Sequence, residues 1–217
     1  MEIINFDSSP SLVSQYMSEL RDVNVQKDML RFRRNLERIG EIMAYEISKR
    51  LTYKVEEVVT PLDTAKCHVL DEQIVLATIF RAGIPFHKGF QDYFDHAQNA
   101  FVSAYRKYRE KENFDVFIEY IASPRIDGKT LIIADPMLAT GASMELSYRA
   151  LLTKGEPAHI HVASIIASKV AVEYIKSTFP SDKTTVWVGA IDDEINAHSY
   201  IVPGLGDAGD LAYGIKE

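Results

Sequence analysis

The sequence is short of sulfur and of cationic charge, and it has no long apolar run. A single cysteine, Cys67, has no partner for an intrachain disulfide and fits a reducing compartment. It reads as an ordinary buried thiol rather than a nucleophile. No stretch approaches the roughly 20 apolar residues of a membrane-spanning helix, and the N-terminus lacks the basic segment and apolar run of a signal peptide. The chain is therefore expected to be soluble and cytoplasmic, with no membrane partner. Lysine and arginine number 24 against 31 aspartates and glutamates, a formal charge of −7. A surface of that sign repels polyanions, so no nucleic-acid partner is expected, while a local basic pocket for a small phosphate stays compatible with it. Internal repeats, low-complexity tracts and Gly/Ser linkers are also missing, and 1–217 reads as a single domain.

What is present is an alternation of strand and helix patterns. Leu36, Ile39, Met43 and Ile47 recur at helical spacing, with Arg31, Arg33, Arg34 and Arg38 on the other faces, and predict an amphipathic helix ending near Leu51. Residues 74–80 read as a buried strand, followed by a turn at Gly83 and Pro85 and a helix bearing Phe86, Phe90 and Phe94. Further strands are predicted over 100–105, 114–121, 131–134, 159–167 and 185–188. Helices are predicted from about Ala142 and through Val170, Tyr174 and Ile175. Such alternation argues for an α/β fold, a mainly parallel sheet flanked by helices. Ligands of such sheets gather beyond the carboxyl ends of the strands, which directs attention to the turns after Phe80, Ala134 and Val188.

The second of these turns carries the most informative string, Asp135-Pro136-Met137-Leu138-Ala139-Thr140-Gly141-Ala142-Ser143. Small residues from Thr140 to Ser143 let main-chain N–H groups converge on an anion where a helix also begins, with unpaired donors and a partial positive charge. Asp135, just ahead of that cradle, is suited to accept hydrogen bonds from sugar hydroxyls. A lone Thr-Gly would be read more simply as a helix cap. The string lacks the Gly-Lys-Ser/Thr ending of a triphosphate loop and the spaced glycines of a dinucleotide fingerprint. Arg81-Ala82-Gly83 sets a guanidinium, whose planar fork suits a diphosphate, beside two small residues. His87, His96, His159 and His161 form no convincing metal-ligand spacing; the alternating His159 and His161 read as surface or packed side chains. Near the C-terminus, Tyr200-Ile201-Val202-Pro203-Gly204-Leu205-Gly206-Asp207-Ala208-Gly209-Asp210 presents more main chain than side chain.

Taken in order over roughly 31–214, these blocks resemble the uracil phosphoribosyltransferases, a branch of the type I phosphoribosyltransferases. Most relatives in that fold carry two adjacent acidic residues where this chain, like the uracil branch, has Asp135-Pro136. Two departures stand out. The branch reads Gly-Gly-Ser where this chain has Gly141-Ala142-Ser143, and an added methyl at Ala142 is harmless only if its φ is negative. The stretch Lys107-Tyr108-Arg109-Glu110 also differs from the acidic hairpin common in the family.

The resemblance implies a type I phosphoribosyltransferase-like sheet with a flap hairpin and a C-terminal base-binding hood. The reaction it implies joins uracil to 5-phosphoribosyl 1-diphosphate (PRPP), giving UMP and diphosphate with Mg2+ as cofactor. Catalytic roles fall on Arg81, Arg106, Asp135 and Asp207. PRPP is expected at Arg81, Arg106, Asp135, Pro136, Met137, Leu138, Ala139, Thr140, Gly141, Ala142, Ser143 and Asp207. Uracil is expected at Tyr200, Ile201, Gly206, Asp207 and Ala208, chiefly through main-chain groups. No direct protein ligand for the metal is implied, Mg2+ being held through diphosphate and water. The family often holds a strained peptide at the arginine turn, and an outlier is expected near Ala82. Members form dimers or larger assemblies and some bind GTP, so a homodimer or higher homo-oligomer is expected. Two other readings use the same residues: a nucleotide-sensing regulator attached to RNA, which the charge opposes, and a weakly active relative kept as an assembly partner. Asp210 is read equally as a loop cap.

Overall fold

A computed structural model describes residues 1–108 and 114–216, the side chains of 104–108 and 114–117 excepted. The chain opens with strand β1 (Glu2–Asn5), helix α1 (Leu12–Arg21) and helix α2 (Met29–Ser48). A hairpin follows, β2 (Tyr53–Val59) with β3 (Thr64–Leu70), and then β4 (Ile74–Phe80), α3 (Gly83–Gln91), β5 (Gln98–Tyr108) and β6 (Phe114–Ala122). The second half comprises β7 (Thr130–Ala134), β8 (Met137–Leu138), α4 (Ala142–Leu152), β9 (His159–Ser168), α5 (Lys169–Thr178) and β10 (Thr184–Asp192). It closes with β11 (Glu194–Ile195), β12 (Ile201–Val202) and α6 (Ala208–Tyr213).

Among the described residues the main sheet runs β1-β10-β9-β7-β4-β5-β6, with β8 beside β9. Its pairs are parallel except β5 with β6. The parallel strands read as continuous apolar runs because helices cover both faces. One face packs Leu76 and Ile132 against Leu36, Ile39, Met43, Phe86 and Phe90 of α2 and α3. The other packs Val75, Ala77, Leu131 and Ile133 against Met144, Tyr148 and Leu151 of α4 and Ile175 of α5.

Several expectations are extended or corrected. Helix α2 begins at Met29, because Asp28 accepts the Arg31 N–H at 3.0 Å and caps it. Phe94 lies beyond α3 yet is buried. Strand β10 continues past Val188 to Asp192, so the turn to inspect follows Asp192. Where the flap hairpin was expected, β5 and β6 pair antiparallel at the edge of the main sheet, while Arg109 and Glu110 lie outside the described residues. Cys67 is not in the core but on β3, half-buried, in a hairpin separate from the main sheet. His161 is a packed side chain, its Nδ1 accepting from Trp187 Nε1 at 3.1 Å.

Candidate active site

Strands β4 and β7 are parallel neighbours, with Thr78 opposite Ala134, so the turns leaving them open at the same end of the sheet. This brings Arg81 and Asp135 to adjacent strand ends. The entry to α3 is tight: a Cβ on Gly83 would collide with Thr78 Oγ1. Ala82 has helical angles (φ −62°, ψ −25°), and the peptide that departs from trans is Phe80–Arg81, which is cis. The outlier expected near Ala82 therefore lies one peptide earlier. Arg106 is on β5 opposite Val116; its side chain is not among those described.

Past Ala134 the regular register is interrupted at Asp135 and Pro136, which stay hydrogen-bonded to β9, and resumes there as β8. The Asp135 N–H donates to Ala163 O at 3.1 Å, and its carboxylate accepts weakly from the Met137 N–H at 3.4 Å. Leu138 and Ala139 turn into the interior, and Ser168 Oγ donates to Ala139 O at 2.6 Å. Thr140, Gly141, Ala142 and Ser143 then form the entry to α4. Gly141 carries the left-handed conformation at φ +85°. Ala142 is the first helical residue and is not among the residues with positive φ. The extra methyl is thus sterically acceptable, because the conformation that needs glycine falls one residue earlier.

The C-terminal segment folds over this end as a small hood. Strand β12 pairs antiparallel with β11, Ile195 facing Ile201. Ile201 and Ala208 are buried in the same core as Ala134 and Ala139, while the Tyr200 ring is about two-fifths exposed. Gly204 (φ +60°) and Gly206 (φ +92°) are left-handed, and a Cβ on Gly204 would strike the Ile201 carbonyl. Asp207 caps α6, accepting the Asp210 N–H at 3.0 Å and Lys216 Nζ at 3.2 Å. Burial pushes the Asp207 carboxyl up, but the Asp210 N–H, the Lys216 charge and hydrogen bond, and the Gly209 N–H outweigh it, and the net shift is down.

The pattern of the whole chain agrees with this geometry. The family model described as Uracil phosphoribosyltransferase matches residues 8–215. The chain belongs to the uracil phosphoribosyltransferase family. It is therefore an enzyme of the phosphoribosyltransferase class. A protein named uracil phosphoribosyltransferase from Porphyromonas gingivalis is 63% identical over 216 residues, covering 100% of both chains. One from Methanothermobacter thermautotrophicus is 41% identical over 189 residues, covering 86% of this chain and 85% of its own. Among solved structures, the AQ2163 protein of Aquifex aeolicus superposes with a TM-score of 0.87 at 29% identity, covering 98% of each chain.

Arg21, Gln26, Arg33 and Asp192, none of them in the strings quoted above, help to hold the hood in place. Arg21, at the end of α1, grips Asp192 with Nη1–Oδ2 at 2.8 Å and Nη2–Oδ1 at 2.7 Å, and reaches Gly204 O at 3.1 Å. The Gly204 N–H returns to Asp192 Oδ2 at 2.8 Å. Burial raises the Asp192 carboxyl, yet the Arg21 and Gly204 hydrogen bonds and the Arg21 charge hold it below the usual range. Gln26 Nε2 donates to Leu205 O at 3.2 Å, and Arg33 Nη1 to Ala212 O at 2.6 Å. Arg33 is therefore a hood anchor rather than a solvated charge. Asp210 accepts from Arg81 Nη2 at 2.8 Å, which joins the hood to the arginine turn. The only sequence signals for these partners were the turn expected after Val188, beyond which Asp192 lies, and the carboxylates of the Gly-rich segment for Asp210.

Proposed function

We propose that the chain joins N1 of uracil to C1 of PRPP, releasing diphosphate and forming UMP, a reaction of pyrimidine salvage. Family membership carries the reaction itself. The observation that best supports the residue roles is the meeting of the Arg81 turn, the Asp135 loop and the C-terminal hood at one end of the sheet. The 5′-phosphate of PRPP sits on the N–H groups of Thr140, Gly141, Ala142 and Ser143, at the positive end of α4. Pro136, Met137, Leu138 and Ala139 wall that cradle, and Asp135 accepts from the ribose hydroxyls.

Departure of diphosphate builds positive charge on the ribose and negative charge on the leaving group, so the protein acts mainly by aligning the reactants and opposing those charges. Arg81 and Arg106 oppose the negative charge. Asp207 suits a hydrated magnesium ion: its ionised oxygens are hard donors, and Lys216 already brings a cation to one of them. When bound, magnesium supplies further positive charge to the diphosphate. Uracil is read by main-chain groups of Ile201, Gly206 and Ala208 and by Asp207, with Tyr200 packing over the ring. With the Ile201 and Ala208 side chains buried, main chain is what those residues offer. A main-chain edge set for uracil leaves a buried group unpaired against cytosine, which lowers turnover of that base.

A cytoplasmic enzyme forming homodimers or larger homo-oligomers goes with this reading. The exposed Val59 and Leu62 of the β2–β3 hairpin offer apolar surface for assembly. The test is UMP formation from PRPP and magnesium with uracil, cytosine, hypoxanthine or orotate. Turnover is expected with uracil and at least a hundredfold less with the others; no turnover with any pyrimidine would overturn the reading.

A further inference from the structure

The hood is anchored at two places. On one side α1, α2 and the turn between them hold it through Arg21, Arg33 and Gln26 respectively. On the other, among the described residues, Arg81 ties it to the β4–α3 turn. Arg81 Nη2 lies 2.8 Å from Asp210 Oδ1, and Nη1 lies 3.4 Å from Gly214 O. Asp210 stands in the first turn of α6, the helix capped by Asp207. Its N–H donates to Asp207 Oδ1, and its own Oδ1 also accepts the Lys216 N–H at 3.4 Å. Gly209, between the two aspartates, keeps the packing close: a Cβ there would stand 3.2 Å from Asp207 Oδ1, which would have to give slightly, and 3.4 Å from Arg81 Nη2.

We propose that Asp210 is a positioning residue that couples the diphosphate grip to the base-binding hood through Arg81. The inference rests on the reading of Arg81 as a diphosphate ligand. A guanidinium has five N–H donors in a rigid fork. Two of them face the hood here, so one edge can hold a diphosphate while the other keeps Asp210. When an anion fixes Arg81, the same plane fixes Asp210, and with it the first turn of α6 that carries Asp207 and Ala208. The pair is partly exposed, with side-chain accessibilities of 40% for Arg81 and 25% for Asp210. A coupling of roughly two- to fivefold in uracil affinity is therefore the expected scale.

The experiment is calorimetric titration of uracil with and without magnesium diphosphate, a pair of ligands that cannot react with each other. It is run on the parent, Asp210→Ala, Asp210→Asn and Arg81→Ala. In the parent, diphosphate should tighten uracil about two- to fivefold. In Asp210→Ala the ratio of the two dissociation constants should fall to 1, while Asp210→Asn, which keeps a neutral acceptor, retains part of it. A role confined to holding α6 together would weaken uracil equally in both titrations and leave the ratio at the parent's value. That result, or a parent ratio of 1, overturns the proposal. Should Asp210→Ala not fold, Asp210→Asn carries the test, and an unchanged ratio there also overturns it. Arg81→Ala isolates the underlying assumption: if it binds magnesium diphosphate as tightly as the parent, the ligand role of Arg81 is wrong, and the coupling through it falls as well.

Discussion

Replacing Gly141 with alanine should damage the phosphate cradle while replacing Ala142 with glycine should not. Gly141 sits at φ +85° and ψ −13°, in the left-handed region, where an L side chain costs about 1–2 kcal/mol. The new Cβ would lie 2.8 Å from Tyr174 Cδ1 and 3.4 Å from Ala171 O, so the Tyr174 ring must move. That ring is partly exposed and able to give way, which adds at most about 1 kcal/mol. A total near 1–3 kcal/mol corresponds to a fall of roughly 2–12 °C in melting temperature for a chain of this size. Because the N–H groups at residues 140–143 must aim at one phosphate, the same distortion should lower kcat/KM for PRPP about tenfold to a hundredfold. Ala142→Gly alters only helix propensity at the first position of α4, at most about 1 kcal/mol, and should leave KM for PRPP within about twofold. Thermal unfolding and initial rates against PRPP concentration test both. A Gly141→Ala enzyme with parental melting temperature and KM, or an Ala142→Gly enzyme that fares worse than it, would refute the reasoning.

Three further outcomes follow from particular contacts. Asp135→Asn should lower kcat about tenfold to a hundredfold, the worth of hydrogen bonds to a charged acceptor, with little change in unfolding temperature; full activity would remove Asp135 from the ribose site. Arg21→Met leaves the buried Asp192 carboxylate without its cation, at a cost of about 3–5 kcal/mol, and should raise KM for uracil more than KM for PRPP; equal changes in both would deny the hood its anchor. His161 and His87 are held neutral chiefly by burial, with pKa values of about 3 and about 4 against 6.5 unfolded. The unfolded chain therefore binds protons that the folded one does not. Stability is full above pH 6.5 and declines as pH falls towards 4, then towards 3. His161→Gln, which keeps an acceptor for Trp187 Nε1, should remove about 2–3 kcal/mol of the stability lost between pH 7 and 4.5. An undiminished loss, measured by denaturant titration at the two pH values, would contradict this.

The sheet was legible because buried parallel strands leave continuous apolar runs, as Ile74–Phe80 and Thr130–Ala134 do. The phosphate loop was legible because small residues between a strand and a helix are a local requirement. The β2–β3 hairpin was not, since its strands leave the main sheet: β2 is exposed throughout, and the alternation of Ala65, Cys67 and Val69 along β3 buries those side chains only partly. The hood's anchors were hidden for another reason. Arg21–Asp192 spans 171 positions and Arg33–Ala212 spans 179, so no spacing in the sequence announces them. Arg33 resembled any charge on the wet face of a helix until the C-terminal segment lay over it. The question raised by Ala142 needed a dihedral angle, which composition does not contain.

The central claim is that donor and base occupy one end of the sheet, the phosphate on the start of α4 and the base against the hood. A crystal structure of the protein with UMP tests it most directly. The account predicts the 5′-phosphate within hydrogen-bond distance of the N–H groups of residues 140–143, the ribose hydroxyls on Asp135, and the uracil edge on main-chain groups of Ile201, Gly206 and Ala208. UMP bound with its phosphate away from α4, or with its base held by side chains outside residues 200–208, would contradict it.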